Sequence, residues 1–177
     1  MSPPRSRPPG AGRDPDTVSP ARSACRTIAA GPAAEAAAGP AEEDDVARSI
    51  TTQLMFQGRN AEEAMRFYVS LFEDAAVASL ERFGPEDPER EGTVKRATFV
   101  LAGTTFACTD SPPVHDFTFT PSMSLFVECG SAEELDRLCE ALSEDGNTFM
   151  PVADYGFSRR FAWVGDRFGV SWQLNLA

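Results

Sequence analysis

Residues 54–67, LMFQGRNAEEAMRF, and residues 125–138, LFVECGSAEELDRL, are two statements of one pattern. Each runs from a short apolar stretch, through a turn, into Ala-Glu-Glu and a helix-like spacing. Superposed at a constant offset of 71 residues, they need no gap: Leu54 falls on Leu125 and Ala61-Glu62-Glu63 on Ala132-Glu133-Glu134. A duplicated strand–turn–helix unit implies a duplicated fold.

Around the first stretch, residues 51–58 alternate with period two, which predicts a strand. Asn60 followed by Glu63 resembles a capping box and predicts a helix from Ala61 to Phe72. Its apolar stripe is Ala64, Phe67, Tyr68 and Leu71. Three strands follow, at 75–83, 94–102 and 104–111, the last two joined by a tight turn at Ala102-Gly103. After a linker the order restarts. A strand at 122–129 leads into a helix capped by Ser131, with apolar Leu135, Leu138, Ala141 and Leu142. Strands at 147–154, 158–164 and 169–176 complete it. The expected fold is therefore α+β. Two tandem βαβββ modules, 51–111 and 122–177, are joined by a linker at 112–121, with a curved sheet around a cleft.

That domain, residues 50–177, is preceded by a segment of different character. Residues 1–50 hold eight of the fourteen prolines and none of the seventeen aromatics. Such a composition cannot bury enough apolar surface to offset its ordering entropy, so residues 1–49 are expected to be a disordered tail. The first 30 residues are Arg-rich and acid-poor, a transit-like composition, although a tail that the domain does not need is the simpler reading. Six Arg against seven acids give this segment a net charge of −1, leaving −10 of the chain's −11 on the domain. A domain this acidic repels phosphate backbones, which argues against nucleic acid as a partner. No run of 18 apolar residues is present, and none was expected to span a membrane. Cys25, Cys108, Cys129 and Cys139 form no CxxC pair, consistent with reduced thiols and a cytoplasmic setting.

Strand alternation sorts side chains into two faces. Leu54, Phe56, Leu125 and Val127 suit packing against a helix. The opposite face holds Gln53, Met55, Gln57, Ser124, Phe126 and Glu128. The last strand sets Val170, Trp172 and Leu174 against Ser171, Gln173 and Asn175. Three strands thus each place polar groups on one face.

The stretches QLMFQGRNAEEAMRFYVSLF (53–72) and DRFGVSWQL (166–174), together with the paired modules, resemble the vicinal oxygen chelate superfamily, which includes glyoxalase I, bleomycin-resistance proteins and extradiol dioxygenases. Within it they look like the PhnB-like group, often labelled 3-demethylubiquinone-9 3-methyltransferase. The resemblance covers residues 51–177. It implies that the first strand of each module, the fourth and the last carry the site. By that correspondence Gln53 lies fourteen residues before Phe67-Tyr68. Ser124 opens the second module where His is common, and Gln173 stands where chelating relatives have Glu. Thr105, Ala107 or Thr109 would come from the fourth strand. Two amides and a hydroxyl are weak donors for zinc, iron or nickel. The methyltransferase label does not follow from the residues, because no GxGxxG turn occurs and strands do not alternate with helices.

The expectation is therefore a protein that binds a small molecule through Gln53, Gln57, Ser124, Glu128 and Gln173, with no metal and no other cofactor. The resemblance also implies a homodimer. A metal-dependent lyase, isomerase or dioxygenase with an atypical site, and a non-catalytic interaction module, are the alternatives. His115, in the linker, reads as a surface residue. A chain beginning at Ser49 is expected to keep the full chain's melting temperature in a thermal unfolding scan. A drop of several degrees refutes the reading of the tail.

Overall fold

The computed structural model describes Ala47 and residues 49–177. The expected tail, apart from Ala47 and Ser49, lies outside the described residues. The domain contains β1 (Thr52–Phe56), α1 (Ala61–Leu71), β2 (Ala76–Arg82), β3 (Val94–Leu101) and β4 (Thr104–Asp110). It continues with β5 (Ser124–Glu128), α2 (Ala132–Ser143), β6 (Asn147–Ala153), β7 (Arg160–Gly165) and β8 (Ser171–Leu176). The strands form two four-stranded sheets, ordered β1-β4-β3-β2 and β5-β8-β7-β6. In each, the opening strand lies parallel to the module's last strand, and the other neighbours are antiparallel. The duplication read from the sequence is thus a duplication of architecture.

Local chemistry explains the elements. Ala102 and Gly103 both adopt positive φ, 45° and 78°, the turn that matches the twist of the β3–β4 hairpin. Ser131 caps α2: its Oγ accepts from Glu134 N at 3.1 Å, while Glu134 Oε2 accepts from Gly130 N at 2.8 Å. The matching expectation for α1 fails. Asn60 makes no capping hydrogen bond. The carboxylate of Asp110, at the end of β4, accepts from Ala61 N at 3.0 Å and from Val94 N at 2.8 Å. One buried charge from a distant strand thus holds the starts of α1 and β3 together, and a full carboxylate satisfies two donors where Asn60 would satisfy one.

The helices cover one face of each sheet, and those faces share a single core. Leu54, Phe56, Tyr68, Phe99 and Phe106 from the first module are continuous with Leu135, Leu138, Val164, Trp172 and Leu174 from the second. Tyr68 on α1 packs edge-to-face on Trp172 of β8, with ring centroids 5.1 Å apart, and Phe72 stacks on the same indole. Phe119 in the linker wedges against Phe56 at 5.1 Å. Both helix-bearing faces contribute to this core.

The two modules meet on one carboxylate. Asp166 Oδ2 accepts from Tyr68 OH at 2.7 Å and from Trp172 Nε1 at 2.8 Å. Its Oδ1 accepts from the backbone N–H groups of Phe168 and Val170, which closes the 166–170 turn. Burial pushes the Asp166 carboxyl above the ordinary range, partly offset by the hydrogen bonds from Trp172, Tyr68, Val170 and Phe168. Burial and the neighbouring carboxylate also push the Tyr68 phenol up, so it remains a donor. Asp166→Ala leaves four donors without their acceptor and is expected to cost about 3 kcal/mol in a denaturant titration. The native state holds the Asp166 proton more tightly than the unfolded chain does. Its contribution is therefore greatest below the unfolded value of 3.8 and declines as pH rises through the raised folded value. The stability gap between wild type and variant should accordingly be wider at about pH 4 than at about pH 7.

Candidate functional site

The polar residues expected on the open faces behave differently in the two modules. In the second, parallel pairing sets Ser124 beside Ser171 and Phe126 beside Gln173, while antiparallel pairing sets Trp163 on β7 beside Gln173. These neighbours join into one network. Trp163 Nε1 donates to Ser171 Oγ at 2.8 Å. Ser171 Oγ lies 2.8 Å from Ser124 Oγ, and Gln173 Nε2 donates to Ser124 Oγ at 3.1 Å. Next along the face, Asn175 Nδ2 donates to Glu128 Oε2 at 2.6 Å. Aromatic groups flank this strip. Phe126 is 55% exposed, Phe149 is 42% exposed, and the Phe149 and Trp163 ring centroids are 5.1 Å apart.

The first module lacks such a network. The position paired with Gln53 is Ala107, which has no polar side chain. Thr109 turns its hydroxyl to Lys95 O at 2.9 Å. Gln53 itself is exposed on the open face of the other sheet. The structure therefore brings Ser124 and Gln173 into contact, and Gln53 makes no hydrogen bond to either. Glu128 shares their face. Gln57 has another task. Its Oε1 accepts from His115 N at 3.0 Å and its Nε2 donates to Phe117 O at 2.6 Å, so both ends of the amide hold the linker backbone. Alternation found the right face for Gln57 but could not show that the linker returns across it.

Sequence reasoning named Ser171 only as a polar position. Ser171 is 2% exposed, and it joins Trp163 to Ser124. Its signal was present in the alternation of Ser171, Gln173 and Asn175.

Two cavities meet at Ser124. One of about 480 Å³ is lined in part by Thr52, Leu101, Phe106, Ser124, Phe126 and Glu128. One of about 230 Å³ is lined in part by Leu54, Phe119, Ser124, Val170 and Ser171. A larger cavity, about 510 Å³, lies away from the network between the end of α1 and the start of α2. It is walled by Glu73, Asp74, Glu133, Glu134 and Arg137, and Arg137 already donates to Leu71 O. The convergent donors and acceptors make the Ser124 cavities the better candidate.

The thiols are poor nucleophiles. Burial pushes Cys108 up to about 12 and Cys129 up to about 11, so both stay protonated near neutral pH. Among the described residues, no three His, Cys, Asp or Glu side chains are grouped to hold a metal ion. Ser124, Ser171 and Gln173 present neutral oxygen and nitrogen, already hydrogen-bonded to one another. This donor set is a weak one for zinc, iron or nickel.

With this geometry in place, the relatives are informative. Residues 48–175 match the family described as 3-demethylubiquinone-9 3-methyltransferase. The chain belongs to that family. The PhnB protein of Bacillus cereus is 51% identical, with a TM-score of 0.70 over 73% of this chain and 100% of its own. A Pseudomonas aeruginosa protein is 26% identical, with a TM-score of 0.64 over 73% of this chain and 98% of its own. The fosfomycin resistance protein FosX of Listeria monocytogenes, 14% identical, shares the fold, with a TM-score of 0.50 over 73% of this chain and 93% of its own. No curated protein matches the chain. The expected PhnB-like, vicinal oxygen chelate fold is thus established for the domain.

Gln57→Ala is expected to lower stability by about 1 kcal/mol by releasing the linker, measured by denaturant unfolding, while leaving the Ser124 network intact. A variant of unchanged stability that loses ligand affinity would return Gln57 to the site.

Proposed function

We propose that the protein binds a small molecule on the open face of the second module, without a transition metal. The observation that carries this reading is the Trp163–Ser171–Ser124–Gln173 network, whose Ser124 lines a cavity of ligand size. Such a strip recognises a ligand by hydrogen bonds and apolar contact, and its hydroxyl and amide groups do not activate water as a divalent cation does. Methyl transfer is not adopted. Among the described residues each sheet has a single parallel pair, unlike the parallel sheet and Gly-rich turn of the usual S-adenosylmethionine enzyme.

We also propose a homodimer, in which a second copy completes the cleft. The helix-bearing faces share one core, and the modules repeat one another. A two-fold axis that sets the first module of one chain over the second module of its partner satisfies both open faces twice. That arrangement would bring the partner's Gln53 towards Ser124 and Gln173. Reduced thiols suit a cytoplasmic setting, and no described helix is long and apolar enough to cross a membrane.

Protein purified without added metal is expected to contain far less than one zinc, iron, nickel or manganese per chain by elemental analysis. Light scattering at micromolar concentration is expected to give a dimer mass. In a thermal-shift screen, a ligand at about 100 times its dissociation constant adds roughly 2.7 kcal/mol. Near-stoichiometric metal lost on mutating Gln53 and Gln173 to Ala would favour the metal-dependent lyase, isomerase or dioxygenase. A screen without a single hit would favour an interaction module.

A further inference from the structure

The hydrogen-bond direction within the network can be worked out, and it specifies the ligand. A serine hydroxyl has one hydrogen to donate and two lone pairs to accept with. Ser171 Oγ already accepts from the Trp163 indole N–H, and Ser124 Oγ already accepts from the Gln173 amide. The two hydroxyls lie 2.8 Å apart, so one donates to the other. If Ser124 donated, the Ser171 hydrogen would be left without a partner on a residue only 2% exposed, at the cost of an unmade buried hydrogen bond. Ser171 therefore donates to Ser124. Both lone pairs of Ser124 are then occupied, and its own hydrogen is free to point into the cavities it lines. Ser124 becomes an outward donor with no accepting capacity left. Gln173 gives its amide hydrogen inward and keeps Oε1 as the outward acceptor.

The charges on this face are equally restrictive. Its one carboxylate, Glu128, is engaged by Asn175. Arg160, the nearest cation along β7, pairs with Asp136 of α2, so it serves the helix-bearing face. None of the network residues or the rings beside them is cationic, and an anionic ligand would also meet the domain's net charge of −10. The half-exposed rings of Phe126, Phe149 and Trp163 supply apolar aromatic surface beside the donor–acceptor pair, with the Phe149 and Trp163 planes tilted by 52°.

We infer that this site takes a neutral aromatic molecule carrying a carbonyl or amide group, with the carbonyl oxygen on the Ser124 hydroxyl, an N–H or O–H on Gln173 Oε1, and the ring against the exposed face of Phe126 or Trp163. This inference rests on the small-molecule reading and narrows it to one chemical class.

Three probes that share a phenyl ring test it: benzamide, benzoate and benzylammonium, titrated into the full chain. The readout is tryptophan fluorescence, to which Trp163 is the accessible contributor because Trp172 is 1% exposed. Benzamide is expected to quench and to bind at least tenfold more tightly than either charged analogue. Ser124→Ala, which also takes away the acceptor of the buried Ser171 hydroxyl, is expected to weaken benzamide about tenfold and to lower the melting temperature by a few degrees, and Ser124→Thr, which keeps the hydroxyl, to retain both affinity and stability. Equal or tighter binding of benzoate or benzylammonium overturns the inference, as does benzamide affinity unaffected by Ser124→Ala. If none of the three binds while the thermal-shift screen finds another ligand, the class is wrong and the small-molecule reading survives. If both experiments are blank, both fall.

Discussion

The carboxylate of Asp166 is the constraint on which the arrangement of the two modules depends. Four donors converge on it: the Tyr68 phenol from one module, the Trp172 indole from the other, and two amides of its own turn. Burying a charge is costly unless it is fully hydrogen-bonded, so the site tolerates little rearrangement. By fixing Tyr68 and Trp172 on the same oxygen, it sets the helix-bearing faces of the two sheets against each other.

The open faces have diverged although their scaffolds have not. Equivalent positions carry Gln53 and Ala107 in one module and Ser124 and Ser171 in the other. Replacing Ala107 by a hydroxyl-bearing residue at the equivalent place is what allows the second face to form a connected network. Connected hydrogen bonds in a half-buried setting orient one another, which gives the second face a defined donor and a defined acceptor. The first face has an exposed amide with freedom to adapt. Two halves of unequal rigidity, brought together in a dimer, would make a cleft with one preorganised wall and one adjustable wall.

The linker has a mechanical part in this arrangement. Gln57 grips its backbone at residues 115 and 117, and Phe119 enters the core beside Phe56 and close to Gly169. Gly169 sits at φ 89°, in the left-handed region, where a side chain would be strained whatever the space around it. The 166–170 turn therefore combines a backbone that needs glycine, a carboxylate that joins the modules, and the entry to β8 with its network residues.

Much of this was written in the sequence. The ungapped repeat determined the number and order of the elements. The period-two alternation placed Ser124, Glu128 and Gln173 on one face, because side-chain parity along a strand is a local property. Turn chemistry at Ala102-Gly103 and the cap at Ser131 were legible for the same reason, since the interacting groups lie within a few residues of one another. Tertiary structure alone decided the rest. Asp110 rather than Asn60 satisfies the start of α1, because a carboxylate 49 positions away in sequence arrives with better geometry. Gln57 holds the linker because the chain happens to return over it. Gln53 makes no hydrogen bond to Ser124 or Gln173, because parity says which residues share a face of one sheet and nothing about which face of that sheet meets its neighbour. That decision belongs to long-range packing, made here where Tyr68, Trp172 and Asp166 are buried together.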